Sequence, residues 1–403
     1  MEYKVYKYRW VILAVYMYVA ALTQLYWLNF AAIDTFIEEH LGIAASSVQW
    51  LTVVFPLVQV LLTLPAGLLI DRKGFKYGVG IGVLFTGLFP VLRLISPESF
   101  TVLLISQIGI SIGQPFVLNG VTKLAVTWFP QKEEATAVGL GSLALFVGMM
   151  VAAGATPALV QSFSFQTMLL VYCAIGLLGV VLFFSLVKAG PDTPSRELAA
   201  QAETVGWQGI KHILKIRDFV ILGFIALIGI GVFNGLVTWL QKMLYELHQI
   251  PMTDGGNIFA ILIFSGIIGC IVIPIISDKI MRRKPFLIAA SVMGTLGVLA
   301  FMISKSYSLN MLNGVILGFF MISALPIMLT MSTEITGARY AGISVGWLQL
   351  LGNAAAVIIV PLMEFLNGAT GAWILPLAVV AGLLVVNFVL SLVIGESAKS
   401  QVN

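Results

Sequence analysis

Twelve long apolar stretches, separated by short polar breaks, constrain this chain more than any other feature. A helix that crosses a bilayer needs about 20 apolar residues, and the stretches come close to or exceed that length. The sequence is 59% hydrophobic and only 10% charged, which is typical of an integral membrane protein and not of a soluble one. We predict spans 1 to 12 near residues 10–33, 47–70, 78–96, 101–128, 136–160, 167–188, 219–244, 255–277, 285–304, 308–332, 341–365 and 371–395.

The longest polar segment, residues 188–218, separates six spans from the next six. We therefore predict an all-α membrane protein with twelve transmembrane helices in two six-helix pseudo-repeats. The predicted domains are an N-terminal bundle at 1–188, a cytoplasmic linker at 189–217 and a C-terminal bundle at 218–403. Within the linker, the stretch WQGIKHILKI is typical of a short amphipathic helix on a membrane surface.

The basic residues predict how the chain is oriented in its membrane. If the N-terminus is cytoplasmic, 19 of the 22 Lys and Arg residues are inside, and only Arg93, Lys242 and Lys305 are outside. This asymmetry follows the positive-inside rule, so both termini are expected in the cytoplasm, with the chain in the plasma (inner) membrane. The net charge of +4 is then explained by short loops beside a lipid bilayer, and no nucleic-acid partner is expected.

The two halves resemble each other at positions that carry charge or proline. Asp71 and Asp278 follow spans 2 and 8 at an offset of 207 residues. Pro115 and Pro326 match at an offset of 211 in spans 4 and 10, as do Lys123 and Glu334. Internal repeats of this kind are typical of transporters, in which a small-molecule substrate binds near the bilayer midplane between the halves.

The loop between spans 2 and 3 reads GLLIDRKGFK and contains Gly67, Asp71, Arg72, Gly74 and Lys76. A carboxylate at a helix end can cap a neighbouring helix or pair with a base, and so hold one state of a moving gate. The loop resembles the signature of the major facilitator superfamily, although residue 75 replaces a common basic residue. The resemblance implies that Asp71 latches an outward-open state.

The second half has a degenerate copy of this loop, PIISDKIMRRK. Asp278 is the weaker counterpart of Asp71, and Arg282 belongs to the same candidate gate. Lys123 and Glu334 are its candidate partners at the ends of spans 4 and 10. An ordinary loop capped by charges is the alternative for each of these residues.

Several residue types are missing from the spans, and this limits the solutes and coupling mechanisms that the sequence can support. No carboxylate and no Lys or Arg lies at mid-span, and none of the three histidines does. This argues against a deep proton site, a buried base for an anionic solute and haem ligation. An antiporter pattern in span 5 fails where Ala152 and Ala153 replace its Gly-Pro, and Cys173 and Cys270 form neither a disulfide framework nor a metal site. We expect no cofactor and a neutral or cationic organic solute.

Amide and aromatic side chains lie on the spans expected to line a cavity, where lipid cannot satisfy their polar groups. An aromatic wall would also attract a desolvated cation. The alternative for Trp27 is the interfacial aromatic belt. The candidates are Thr23, Gln24, Tyr26, Trp27 and Phe30 on span 1, Gln114 and Asn119 on span 4, Asn234 and Trp239 on span 7, and Gln349 and Asn353 on span 11.

Two stretches, RWVILAVYMYVAALTQLYWLNFAAI and GQPFVLNGVTKLAVTWFPQKEEATAVG, resemble the feline leukaemia virus subgroup C receptor-related branch of the superfamily. Members of that branch carry choline and ethanolamine, and haem has also been proposed. The resemblance places their span 1 tryptophan on Trp27. Asn353 replaces their span 11 glutamine, Asn234 falls on their span 7 aromatic residue, and Phe146 falls on their span 5 glutamine.

The preferred interpretation is alternating-access transport of a choline-like amine by facilitated uniport. A proton-coupled exporter of hydrophobic compounds is the alternative, and a non-transporting receptor or sensor on the same scaffold is a third hypothesis. No nucleophile–base pair, metal cluster or phosphate loop occurs at a useful spacing, so an enzyme is not expected. Monomers are usual for the resembling family.

Overall fold

The computed structural model describes residues 5–191, 207–337 and 340–397, which form helices joined by short connections and contain no strand. Twelve of the helical segments in these ranges are long and apolar enough to cross a membrane, which confirms the predicted number. Spans 1 to 12 are Arg9–Leu28, Ala45–Ile70, Phe75–Ile95, Phe100–Trp128, Thr136–Ser162, Phe165–Leu186, Arg217–His248, Met252–Ile280, Lys284–Ile303, Tyr307–Thr336, Gly342–Thr370 and Ile374–Val393.

Span 1 ends at Leu28, five residues earlier than predicted. A 3-10 turn at Ala31–Ile33 and a separate helix at Asp34–Leu41 follow it, and Gly42 caps the end of that helix. Apolar residues continue through this region, so the sequence pattern alone merged the turn with the span.

Span 4 consists of two helices, Phe100–Leu118 and Gly120–Trp128. The two helices meet at Asn119, whose backbone N–H donates to the carbonyl of Pro115 at 3.1 Å. In the linker, a helix at Trp207–Ile213 confirms the predicted amphipathic helix as a helix. Residues 192–206 of the predicted linker lie outside the described ranges.

The chain divides into two compact units, Met1–Ala202 and Glu203–Asn403. In the first unit, span 1 packs on span 5, span 2 on span 4, and span 3 on spans 4 and 6. The equivalent pairs recur in the second unit, where span 7 packs on span 11, span 8 on span 10, and span 9 on spans 10 and 12. The charge and proline repeat in the sequence therefore corresponds to a repeated packing scheme.

Each unit has its own apolar core. In the first unit, the core includes Tyr16, Phe75 and Phe183 from spans 1, 3 and 6. In the second unit, it includes Phe219 and Met331 from spans 7 and 10. Because lipid is as apolar as these side chains, close packing and internal hydrogen bonds hold such helices together.

Arg9 connects the start of span 1 to the helix that contains span 5. Its guanidinium group makes two hydrogen bonds with the carboxylate of Glu133, at Nε–Oε2 2.9 Å and Nη2–Oε1 3.1 Å. The rings of Trp10 and Phe129 lie 5.4 Å and 5.7 Å from the guanidinium carbon. This contact packs Phe129 and Glu133, which follow span 4, against the start of span 1 inside the first unit.

Candidate functional site

The aromatic residues of span 1 separate into two groups in the structure. Tyr16, Tyr18 and Tyr26 donate their hydroxyl hydrogens to backbone carbonyls of spans 4 and 6, at 3.0, 2.8 and 2.6 Å. Their polar ends are therefore used to join helices of the first unit. Trp27 is also buried, but its indole N–H has no hydrogen-bond partner among the described residues.

Asn29, which ends the span 1 helix, is fully buried, and both polar atoms of its side chain lack hydrogen-bond partners in the described chain. Leaving a buried polar group unsatisfied costs about 1–3 kcal/mol. Such groups are uncommon in native structures, and each one calls for an explanation. Trp27 and Asn29 therefore each have unmet hydrogen-bonding capacity near the end of span 1.

The other span 1 candidates have partners close by. Thr23 donates its hydroxyl hydrogen to the carbonyl of Ala20 at 2.7 Å, and the Gln24 amide donates to the Thr23 hydroxyl at 3.3 Å. Phe30 is fully buried, and its ring centre lies 4.8 Å from the guanidinium carbon of Arg93. The structure thus places Thr23 and Gln24 together, and places Phe30 against a buried base.

Arg93 is a feature that the sequence pattern did not predict. It is fully buried near the end of span 3, beneath the rings of Tyr26 and Phe30. Its Nε donates to the Ser106 hydroxyl at 3.0 Å, and one terminal nitrogen donates to the Gln107 side-chain oxygen. Within the described residues it makes no ion pair, and its Nη1 has no hydrogen-bond partner. Aromatic faces and neutral oxygens therefore hold this cation.

The candidates on spans 4 and 5 differ in their surroundings. Asn119 donates from its amide to the carbonyl of Thr63 at 2.8 Å, and Gly67 faces the same amide. Asn119, which is predicted to bind substrate, therefore joins spans 2 and 4. It lies beside Gly67, which is predicted to belong to the gate. Gln114 is buried and Phe146 is half-buried.

In the second unit, the amides of Asn234 and Asn353 each donate to the carbonyl four residues earlier, at 2.7 and 2.8 Å. For Asn353 that carbonyl belongs to Gln349, another candidate, so the structure places these two together. Trp239 is buried, and its indole N–H donates to the carbonyl of Val360 at 3.0 Å. The indole N–H of Trp239 therefore joins span 7 to span 11.

Lys242 is a second buried base, 2% exposed, one turn after Trp239. Its ammonium nitrogen lies 3.6 Å from Glu364, 3.9 Å from Glu246 and 5.4 Å from the ring centre of Trp239. Glu246 also accepts a hydrogen bond from the indole N–H of Trp373 at 2.6 Å. A charged cluster is therefore packed between spans 7 and 11, where the sequence shows only isolated charges near span ends.

Arg283 is the centre of the candidate gate in the second unit. Its guanidinium group pairs with Asp278 at 2.5 Å and with Glu334 at 2.9 Å, so it joins the end of span 8 to the end of span 10. Burial disfavours the charge of Arg283, but the bonds to Glu334 and Asp278 outweigh burial and raise its pKa above the ordinary value. The Ser397 hydroxyl adds a bond to Glu334 at 2.6 Å.

The side-chain contacts of this loop come from the neighbour of the predicted gating residue. Arg282, chosen as the gating base, is exposed, whereas its neighbour Arg283 makes the side-chain contacts. The sequence repeat could have identified Arg283, because the offset of 207 residues that relates Asp71 to Asp278 also relates Lys76 to Arg283. Asp278 and Glu334 both contact Arg283 in this cluster.

The equivalent loop of the first unit is only partly described. Asp71 belongs to the last turn of the helix Trp50–Lys73, and its side chain lies outside the described residues. Gly74 ends that helix with φ +88°, a backbone conformation that glycine adopts without strain. Arg72 is exposed, and Lys76 and Lys123 are half-buried.

Twelve apolar spans, a repeated packing scheme and a charged cluster at the span 8–10 ends define a polytopic α-helical transport protein. The Major Facilitator Superfamily model matches residues 14–360, and the chain belongs to that family. It is a transporter and not an enzyme.

The relatives place the chain near one branch of this family. An uncharacterised MFS-type transporter of Caenorhabditis elegans is 26% identical over 99% of this chain and 71% of its own length. The choline/ethanolamine transporter flvcr2a of Danio rerio is 23% identical over 88% of this chain and 80% of its own length. Human choline/ethanolamine transporter FLVCR2 is 22% identical, with coverage of 88% and 71%. The chain is related to this branch, as the residues of spans 1 and 4 indicated.

A solved structure shows the same fold. A bacterial homologue of the human lysosomal transporter Spinster, crystallised in an inward-facing and unoccupied conformation, superposes with a TM-score of 0.80. The match covers 97% of both chains at 16% sequence identity, so it supports the fold alone.

Proposed function

We propose that this protein carries a small choline-like amine across a membrane by facilitated uniport and alternating access. One observation carries the proposal: Trp27 and Asn29 are buried at the end of span 1 with polar atoms that have no partner among the described residues. A ligand that brings its own hydrogen-bonding groups would satisfy them. The names of the related transporters point to the same class of solute.

Choline-like amines suit these two side chains chemically. A quaternary ammonium group is attracted to the face of an indole ring, by about 2 kcal/mol or more when water is excluded. The hydroxyl oxygen of such a solute can accept a hydrogen bond from an indole or amide N–H. In contrast, the hydroxyl groups of Tyr16, Tyr18 and Tyr26 are already bonded to backbone carbonyls and are less available to a solute.

The remaining predicted binding residues keep their proposed role in contacting the solute. Gln114 and Phe146 would serve in the first unit, and Gln349 and Asn353 in the second. Asn353 still has its side-chain oxygen for a solute, because only its amide nitrogen bonds to Gln349. For Trp239 we propose a contact through the ring, since its N–H is bonded to Val360.

The cluster of Asp278, Arg283 and Glu334 is proposed to hold one state of the gate. Two carboxylates share one guanidinium group there, so a small separation of span 8 from span 10 would break charge-assisted bonds. We propose the corresponding role for Asp71 in the first unit. Gly67, Arg72, Gly74, Lys76 and Lys123 are proposed to shape that loop and its surroundings.

A proton-coupled exporter is the second candidate, and one observation favours it. Glu364 is buried in span 11 beside Lys242, and a buried carboxylate within a transporter is a common proton carrier. A proton on Glu364 would weaken the ion pair at 3.6 Å and change the packing of spans 7 and 11.

We propose that the protein works as a monomer in the plasma membrane with both termini in the cytoplasm. Its partners would be the solute and the lipid bilayer, without a nucleic acid, cofactor or metal ion.

The experiment that separates the two candidates is choline uptake by the purified protein in liposomes, with and without an imposed pH gradient. Uniport predicts equal initial rates in both conditions. Rates that follow the gradient, and that lose this response in Glu364→Gln, would support proton coupling. Uptake no greater than that of empty liposomes would contradict the proposed substrate class. A thermal-shift screen of amines, sugars and hydrophobic drugs would then identify the class that binds.

A further inference from the structure

A groove of about 370 Å³ lies on the first unit, where the loop after span 2 and the start of span 3 meet the end of span 6. None of the residues that predict solute binding lines it, so it is separate from the candidate solute site. Its mouth carries Lys73, Lys76 and the tyrosine at position 77, while Leu84 and Phe184 line its apolar part.

The groove has the charge pattern of an anion site at its mouth. Among the lining residues that the structure describes, Lys73 and Lys76 are the charged ones, and none of the others is acidic. Neither lysine makes an ion pair in the part of the chain that the structure describes. Two lysines that have no described carboxylate partner therefore line the groove where span 2 connects to span 3.

The rest of the groove is apolar and opens outward. Leu84 is 38% exposed and Phe184 is 44% exposed, and both belong to spans that cross the membrane. From Phe75 to Leu84 the helix rises about 14 Å at 1.5 Å per residue. One leaflet of the hydrocarbon core is about 15 Å thick, so the apolar part of the groove has the length of one leaflet.

We infer that this groove binds an anionic phospholipid, with its phosphate between Lys73 and Lys76 and one acyl chain along spans 3 and 6. A soluble anion would use the lysines but leave the apolar walls uncovered. A zwitterionic lipid would cover the walls but carries a cation that the two lysines repel. Only an anionic lipid matches both parts of the groove.

The test measures thermal unfolding of the full chain in non-ionic detergent while phosphatidylglycerol or phosphatidylcholine with the same acyl chains is added. The wild-type protein should be stabilised at lower concentrations of phosphatidylglycerol than of phosphatidylcholine. Each lysine near an anionic lipid contributes a factor of roughly five in affinity. The double variant Lys73→Gln/Lys76→Gln should therefore need about 25-fold more phosphatidylglycerol for the same shift.

Two matched controls separate this groove from general surface effects. Lys211→Gln/Lys215→Gln removes the same charge from exposed positions before span 7 and should leave the response unchanged. Leu84→Trp fills the apolar part and should weaken the response, whereas Leu88→Trp, at an exposed position outside the groove lining, should not.

Three results would overturn the inference. The first is an equal response to both lipids in the wild-type protein. The second is an equal loss in the Lys211→Gln/Lys215→Gln control. The third is full stabilisation by inorganic phosphate or glycerol phosphate without acyl chains, which would show a simple anion site. If Leu84→Trp fails to fold, the lysine variants still decide the question, because Lys73 is exposed and Lys76 is half-buried at a helix end.

Discussion

Arg283 donates two hydrogen bonds to the Glu334 carboxylate oxygen Oε1, from Nε at 3.2 Å and from Nη2 at 2.9 Å. Arg283 is 5% exposed, and the Glu334 side chain is 13% exposed. Removing one partner of a buried pair leaves the other charge uncompensated, which costs about 3–5 kcal/mol. The pair therefore stabilises the packing of the span 8 and span 10 ends.

Replacing Arg283 by Gln should lower the melting temperature of the purified protein in detergent, with a loss of about 3 kcal/mol in the free energy of unfolding. The adjacent Arg282→Gln should change it by less than about 0.5 kcal/mol, because Arg282 is exposed. Equal effects of the two variants would show that the cluster does not stabilise the second unit.

The backbone at Met281 gives a second prediction. Met281 has φ +50° at the position that the offset of 207 residues relates to Gly74, which has φ +88°. A side chain costs about 1–2 kcal/mol in this region. Met281→Gly should therefore raise the melting temperature, although the greater freedom of glycine in the unfolded chain reduces the gain.

Gly74→Met is the reciprocal change and should destabilise by about 1–3 kcal/mol. A Cβ at Gly74 would meet nothing within 4 Å, so the loss would come from backbone strain and not from a clash. Met281→Ala is the control that keeps a Cβ at the strained position. Stabilisation by Met281→Ala as large as that by Met281→Gly would contradict the backbone explanation.

Gln107 supports the buried Arg93 and gives a third prediction. Its side-chain oxygen accepts from Arg93, and its amide donates to the carbonyls of Leu51 and Tyr26 at 2.5 and 3.2 Å. Gln107→Leu would leave a buried cation and two carbonyls with fewer partners, so we expect a loss of about 2–3 kcal/mol. Gln166→Leu, at an exposed position on span 6, is the control. A melting temperature unchanged by Gln107→Leu would contradict the role of Gln107.

The fold could be predicted from the sequence because the length of each apolar run decides whether it forms a membrane-spanning helix. An apolar run long enough to cross a bilayer has to form a helix, since lipid offers no partner to backbone groups. The twelve spans were therefore predictable, whereas the turn at Ala31–Ile33 was not, because its residues are as apolar as those of span 1.

The candidate site was less predictable, because helical periodicity gives the direction of a side chain but not its partner. Tyr26 and Trp27 are adjacent aromatic residues in the same apolar stretch, and the sequence pattern does not distinguish them. Only the structure shows that Tyr26 bonds to the carbonyl of Tyr172, while the Trp27 N–H has no partner among the described residues. Arg93 and Lys242 are similar cases, since their burial depends on rings and oxygens from distant parts of the sequence.

Choline uptake into liposomes by the Trp27→Ala variant tests the central proposal most directly, with Trp50→Ala as the control for an exposed tryptophan at the start of a span. Loss of a cation–aromatic contact worth about 2 kcal/mol should raise the choline concentration for half-maximal uptake about thirtyfold in Trp27→Ala. Trp50→Ala should behave like the wild-type protein. Unchanged uptake by Trp27→Ala, or an equal defect in both variants, would contradict the assignment of Trp27 to solute binding.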